Sequence, residues 1–201
     1  MGARDTRSAI REAALRLFLV KGVEQTSLRE VADEVGITKA SLYYHYESKA
    51  DLLAAVVAPV LFVMRDVVDG LSGTPHDQDG VRELLRRYLV GLLNHRAEGS
   101  LFVRDAAAMS AALESMLPEL MDLSNRLHAW LAGPSATAED TIRAIAAVQV
   151  LGTALTADTQ VPDTSDRELE AVLLDAAMNV LRPGTIGTVN WAPGVPDTTT
   201  R

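Results

Sequence analysis

Over residues 39–46 the chain reads Lys39, Ala40, Ser41, Leu42, Tyr43, Tyr44, His45, Tyr46, and these side chains are the best equipped in the sequence to touch another molecule. Leu42 and Tyr46 are four residues apart and share one face of a helix, which leaves Lys39, Ala40, Ser41, Tyr43, Tyr44 and His45 turned outward. Three of the chain's four tyrosines fall here. Neighbours on a helix point about 100° apart, so three aromatics this close together are not all core. A short helix with an ammonium and small residues in its first turn, followed by phenol and imidazole donors, suits the major groove of DNA. The small residues permit close approach, and Lys, Tyr and His reach phosphates or base edges. On spacing alone, a helical hairpin with a solvated aromatic patch remains the alternative.

The preceding residues supply what must hold such a helix in place. Ser27 with Glu30 is a capping box that starts a helix at Leu28. Leu28, Val31, Ala32 and Val35 then follow at i, i+3, i+4 and i+7, which makes one apolar face, and small Ala32 admits a close neighbour. Gly36 is placed to end this helix, with Ile37 folding back on the apolar face, and Thr38 is placed to cap the next one. Upstream, Ile10, Ala13, Ala14, Leu17 and Phe18 form an amphipathic stripe ended by Gly22, expected to roof the pair as a third helix, with residues 1–5 a charged arm. Ser48 with Asp51 opens a long helix to about Gly70. It is apolar on more than one side and carries Pro59, which is expected to kink it.

The strings Thr26-Ser27-Leu28-Arg29-Glu30-Val31-Ala32, Gly36-Ile37-Thr38-Lys39-Ala40-Ser41-Leu42-Tyr43-Tyr44-His45-Tyr46 and Ser48-Lys49-Ala50-Asp51-Leu52-Leu53 together closely resemble the N-terminal signature of the TetR family of bacterial transcriptional regulators. The resemblance covers about the first quarter of the chain. It implies an all-α fold: an N-terminal three-helix helix-turn-helix DNA-binding domain (1–48), a larger helical ligand-binding and dimerisation domain (49–182) and a flexible C-terminal tail (183–201). DNA contacts are then expected from Ser27, Arg29, Lys39, Ala40, Ser41, Tyr43, Tyr44, His45 and Lys49. The resemblance puts Tyr43 and Lys49 on phosphates, while Ala40, Ser41 and Tyr44 are expected to set base preference. Tyr46 departs from the family, which more often has Phe there, so its hydroxyl needs a partner. The implied function is a homodimeric repressor that binds double-stranded, palindromic operator DNA and is released by a small-molecule effector. An activator, an orphan repressor without effector, and a helical ligand-binding or scaffold protein that does not bind DNA are the alternatives.

Composition is compatible with this reading once charge is divided along the chain. The 201 residues carry a net charge of -8, but residues 1–49 hold 8 Lys+Arg against 7 Asp+Glu, leaving 11 against 20 for the rest. All three lysines, Lys21, Lys39 and Lys49, lie in the first part. An acidic body repels a duplex from every side except the N-terminal face. Cysteine is absent, which excludes disulfides and Cys-based zinc or redox sites. The histidines His45, His76, His95 and His128 form no i, i+4 pair, so neither a metal nor a cofactor is expected. With no phosphate loop or nucleophile elbow either, no enzymatic activity is expected. No membrane association is expected, because the longest apolar run, 52–64, is interrupted by Pro59 and is shorter than a span; the expected location is cytoplasmic.

Beyond residue 70 the pattern is helical throughout. A polar loop over 72–80 precedes a helix striped by Val81, Leu84, Leu85, Tyr88, Leu92 and His95. Gly99-Ser100 is expected to break the chain before another helix over 101–113. Pro118 sits in the first turn of the next helix. Capping boxes at Thr137/Asp140 and Ser165/Glu168 open the last two, separated by a loop over 158–164. The first of these carries two apolar faces, Ala144, Val148, Leu151 and Leu155 on one and Ile142, Ile145, Gln149 and Thr153 on the other. A monomer needs one buried stripe per helix, so the pair is the expected dimer interface. Phe62, Tyr88, His95, Phe102, Met109, Met121, His128, Trp130 and Gln149 combine bulky apolar groups with a few polar ones. As a set they are the expected ligand-binding residues.

Overall fold

The computed structural model describes residues 3–104, 108–110, 114 and 116–181, and among these residues the protein is all-α. The first three helices are α1 (Ala3–Lys21), α2 (Leu28–Val35) and α3 (Lys39–His45). They enclose a core of Ile10, Ala13, Ala14, Phe18, Val31, Leu42 and Tyr46. The expected caps are present. Ser27 accepts from the Glu30 backbone while Glu30 accepts from that of Ser27, and Thr38 accepts from the Ser41 amide at 3.1 Å. Gly36 ends α2 at φ 74°, a left-handed conformation that a side chain would disfavour. The Ile37 amide donates to Ala32 O, closing a Schellman-type end that fixes the angle between α2 and α3.

The long helix α4 (Lys49–Asp69) contributes to two cores. Leu52, Leu53, Val56 and Val57 pack with α1 to α3, whereas Leu61, Met64, Val67 and Val68 pack with the helices that follow. Pro59 lies between the two sets and lacks the N–H that would bond the carbonyl of Ala55. The body comprises α5 (Gln78–Asn94), α6 (Arg96–Arg104), α7 (Leu117–Ala132), α8 (Ala138–Gly152), the short α9 (Ala157–Gln160) and α10 (Asp166–Leu181). Its core is built on Leu84, Leu85, Leu89, Leu127, Ala144, Leu151, Leu173 and Ala177. Helices α8 and α10 lie side by side, and an ion pair of Arg65 with Glu119 ties α4 to α7.

Several sequence expectations change here. Helix α1 already runs from Ala3, so residues 3–5 are helix rather than an arm. Helix α5 begins before Val81, because Asp77 accepts from the Gly80 amide at 2.8 Å and caps the chain at Gln78. Gly99-Ser100 does not break the chain. The break comes at His95, and α6 continues through Gly99, where a Cβ would stand 2.3 Å from Leu155 Cδ2; the glycine serves close packing, not chain reversal. Part of the 158–164 loop is the helical turn α9. The flexible tail expected over 183–201 lies outside the described residues.

Candidate nucleic-acid interface and internal cavity

Helix α3 is anchored by two side chains and presents the rest. Leu42 and Tyr46 are fully buried, while Tyr44 is 85% exposed and Tyr43 44%. Lys39 and Ala40 are exposed, and Ser41 and His45 are half-buried. The Lys39 ammonium lies 5.5 Å from the Tyr43 ring centroid, and Tyr44 meets His45 edge-on at 5.4 Å, so the presented groups order one another. The Tyr46 hydroxyl is accounted for: it donates to Arg7 O and accepts from Arg7 Nε, both at 3.4 Å, with the Arg7 guanidinium over its ring. That bond pins α3 to α1.

At the start of α2, Ser27 and Arg29 are exposed on the same domain, and Arg29 pairs with Asp33 at 3.8 Å. Lys21 donates to Glu30 at 2.6 Å. That hydrogen bond, followed by those from Ser27, holds the Glu30 carboxyl down at about 2, so the capping box is ionised under all ordinary conditions. Lys49 is half-buried, and its ammonium donates to Glu24 O and Thr26 O, both at 2.9 Å. It clamps the turn between α1 and α2. Thr26, buried, donates to Gly22 O at 2.9 Å and holds the same turn. Sequence reasoning missed both tasks. A buried polar residue just before an N-cap was the available signal for Thr26, and none marked the carbonyl partners of Lys49.

Of the nine residues expected to bind a ligand, the described structure brings two together in one cavity. Tyr88 and Phe102 line a cavity of about 140 Å³ in the body, together with Val60, Leu61, Met64, Leu92, Met116, Leu120, Gly152 and Leu155. Phe62 points away from it, half exposed beneath the Arg65 guanidinium. His95 lies in a groove beside Arg11 and Pro59, with Glu98 3.4 Å from its Nδ1. Met109 belongs to the core around α1. Met121 and Gln149 are exposed, and Trp130 packs edge-on against His76, whose ring bonds Trp130 O at 2.7 Å. His128 is half-buried, with an Nε2 that has no partner among the described residues, and burial lowers its pKa. Aromatic and polar residues drew the sequence reading, but most of the cavity wall is aliphatic, which composition does not distinguish from core. Among the described residues no cluster of His, Asp and Glu is placed to hold a metal, and no helix is long and apolar enough to cross a membrane.

A capped helix pair with a short, exposed, donor-bearing second helix, packed together with a larger helical body, has the architecture of a helix-turn-helix domain. Residues 10–56 match the family model described as bacterial regulatory proteins, tetR family. The HTH-type transcriptional repressor BepR of Brucella suis is 31% identical over 91 residues, which cover 45% of this chain and 43% of BepR. The HTH-type transcriptional regulator AcrR of Shigella flexneri is 30% identical over 140 residues, covering 60% of this chain and 61% of AcrR. The chain thus spans about half the length of the curated relatives it matches. Among solved structures, AmtR of Mycobacterium smegmatis superposes with a TM-score of 0.71 at 23% identity, covering 90% of this chain and 86% of AmtR, which establishes the shared fold.

Proposed function

We propose that the protein is a homodimeric transcriptional repressor whose two α3 helices enter successive major grooves of a palindromic operator, and that a small molecule bound in the body releases it. The observation that carries this reading is the asymmetry of α3: one face is locked into the core by Leu42 and Tyr46, and the other offers Lys39, Ser41, Tyr43, Tyr44 and His45 to a partner. Tyr43 and Lys49 serve phosphates, while Ala40, Ser41 and Tyr44 face base edges. Ser27, Arg29 and Lys49 support the contact from the start of α2 and α4. The exposed Ile142, Ile145 and Val172 on α8 and α10 provide the subunit contact. The cavity wall includes Val60, Leu61 and Met64, all on α4 beyond Pro59, so an occupant pushes on the helix whose other end carries the DNA-binding domain. BepR, a repressor by name, supports the sign of regulation.

Selection of bound DNA from a random pool, with and without candidate metabolites, tests the reading. Enrichment of a two-fold symmetric site with half-sites about one helical turn apart is expected. No enriched sequence, or an asymmetric single half-site, refutes it.

A further inference from the structure

Two features of the internal cavity are not explained by packing. The first is Tyr88. Its side chain is 6% exposed and lines the cavity, and its hydroxyl, which makes no hydrogen bond to the described residues, is not itself fully enclosed. A buried phenol ordinarily finds a partner, because an unpaired hydroxyl in apolar surroundings is unfavourable. Its surroundings are apolar indeed: burial alone pushes the phenol up to about 12, and among the described residues no charged side chain lines the space.

The second is Gly152, the last residue of α8. At φ -58° and ψ -22° it has ordinary helical geometry, open to any residue, and a Cβ there would meet no heavy atom within 4 Å. Within α5 and α6, by contrast, Gly91 and Gly99 are needed for space, since a Cβ at Gly91 would stand 2.4 Å from Val63 Cγ1 and one at Gly99 2.3 Å from Leu155 Cδ2. Glycine is a poor helix former, so at 152 it weakens α8 without admitting any neighbour. What it leaves is open volume beside Tyr88.

We infer that this cavity takes an uncharged, largely apolar molecule of about single-ring size that carries one hydrogen-bond acceptor, that the Tyr88 hydroxyl donates to this acceptor, and that Gly152 leaves room for it. The volume, about 140 Å³, is close to that of apolar protein cavities that hold benzene. An ammonium or carboxylate would lose hydration there with no counter-charge from the described residues in return, so the site favours an uncharged molecule. The inference deepens the effector reading above, on which only its consequence for DNA rests.

Methyl-labelled methionine supplies the test, because Met64 and Met116 line the cavity whereas Met121 is exposed and Met178 lies elsewhere. Four probes of similar shape are titrated into the free protein: acetophenone, ethylbenzene, benzoate and benzylamine. Acetophenone is expected to shift the Met64 and Met116 methyl signals saturably and to leave Met121 and Met178 unmoved, and ethylbenzene to do the same more weakly. Benzoate and benzylamine are expected to leave Met64 and Met116 unmoved. Tyr88→Phe should weaken acetophenone about fivefold or more, as expected for one lost hydrogen bond, and leave ethylbenzene unchanged. Gly152→Leu should abolish binding of both neutral probes while the melting temperature holds or rises, which separates occlusion from unfolding. Absence of saturable shifts with acetophenone overturns the inference. So do binding of either ion at comparable affinity, indifference of acetophenone to Tyr88→Phe, and undiminished binding to a folded Gly152→Leu variant. Binding without release of DNA would count against the effector reading and leave the ligand class standing.

Discussion

Replacing Ile142 by Ala probes the subunit contact quantitatively. Ile142 is 66% exposed in the single chain, on the face of α8 opposite the buried Ala144, Val148 and Leu151. The substitution deletes three carbons, each contributing about 0.8 kcal/mol when buried. Scaled by the exposed two thirds, the loss is about 1.5 kcal/mol per subunit if the partner covers this face. A two-fold interface contains the residue twice, so the dimer loses about 3 kcal/mol, roughly a 150-fold rise in dissociation constant. The fold of each chain should be unaffected, because Ile142 does not contribute to the core. Sedimentation equilibrium over a dilution series measures the constant directly, and far-ultraviolet circular dichroism confirms unchanged helix content. The reasoning is refuted if the wild type sediments as a monomer at micromolar concentration, or if the variant dimerises within twofold of the wild type.

Other substitutions separate anchoring from contact within the first domain. Leu42→Ala, at a fully buried site, should cost about 2–5 kcal/mol in urea denaturation, whereas Tyr44→Ala, 85% exposed, should stay within about 0.5 kcal/mol and still weaken operator binding in a mobility-shift titration. Lys49→Met removes two charged hydrogen bonds from the turn before α2, and at a half-exposed site a loss of about 1 kcal/mol in the same denaturation assay is expected; unchanged stability would contradict the clamp. The Glu30 carboxyl lies below its ordinary value, so its contribution to stability is whole above pH 4.5 and fades as pH falls through about 2. Because Lys21 is the largest cause, Lys21→Met should move the Glu30 titration, followed by carbon-detected NMR, toward 4.5. A curve that does not move would assign the depression to Ser27 alone.

The first domain was legible because its signals are local. Ser27 with Glu30, Gly36 and Thr38 each fix a helix end within three residues, and the observed α2 and α3 begin where those residues put them. The doubled faces of α8 were legible for the same reason, since periodicity along one helix predicts which side a single chain leaves open. Contacts made across the fold could not be read this way. Gly99 looked like a breaker because glycine usually is one, and only Leu155, distant in sequence, makes it a packing residue inside a helix. The cavity failed similarly. Met121 and Gln149 share helices with core residues but lie on outer faces, and the aliphatic wall of Val60, Leu92 and Leu120 carries no chemical mark. Lys49 was read as a phosphate contact, and its hold on the turn went unforeseen because its acceptors are backbone carbonyls, which no residue type announces.

The participation of α4 in both cores bears on how such chains exchange parts. A recombinant that joins a foreign sensor after residue 48 would strip Leu52, Leu53, Val56 and Val57 from beneath α1 to α3 and leave the reading head with an open base. A crossover placed at Pro59, where the backbone ladder is already interrupted, keeps that base whole. Even then Leu101 and Met109, which come from the body yet sit in the first core, would have to be matched by the incoming sequence. The seam along which this protein can be cut and respliced therefore runs through the middle of a helix.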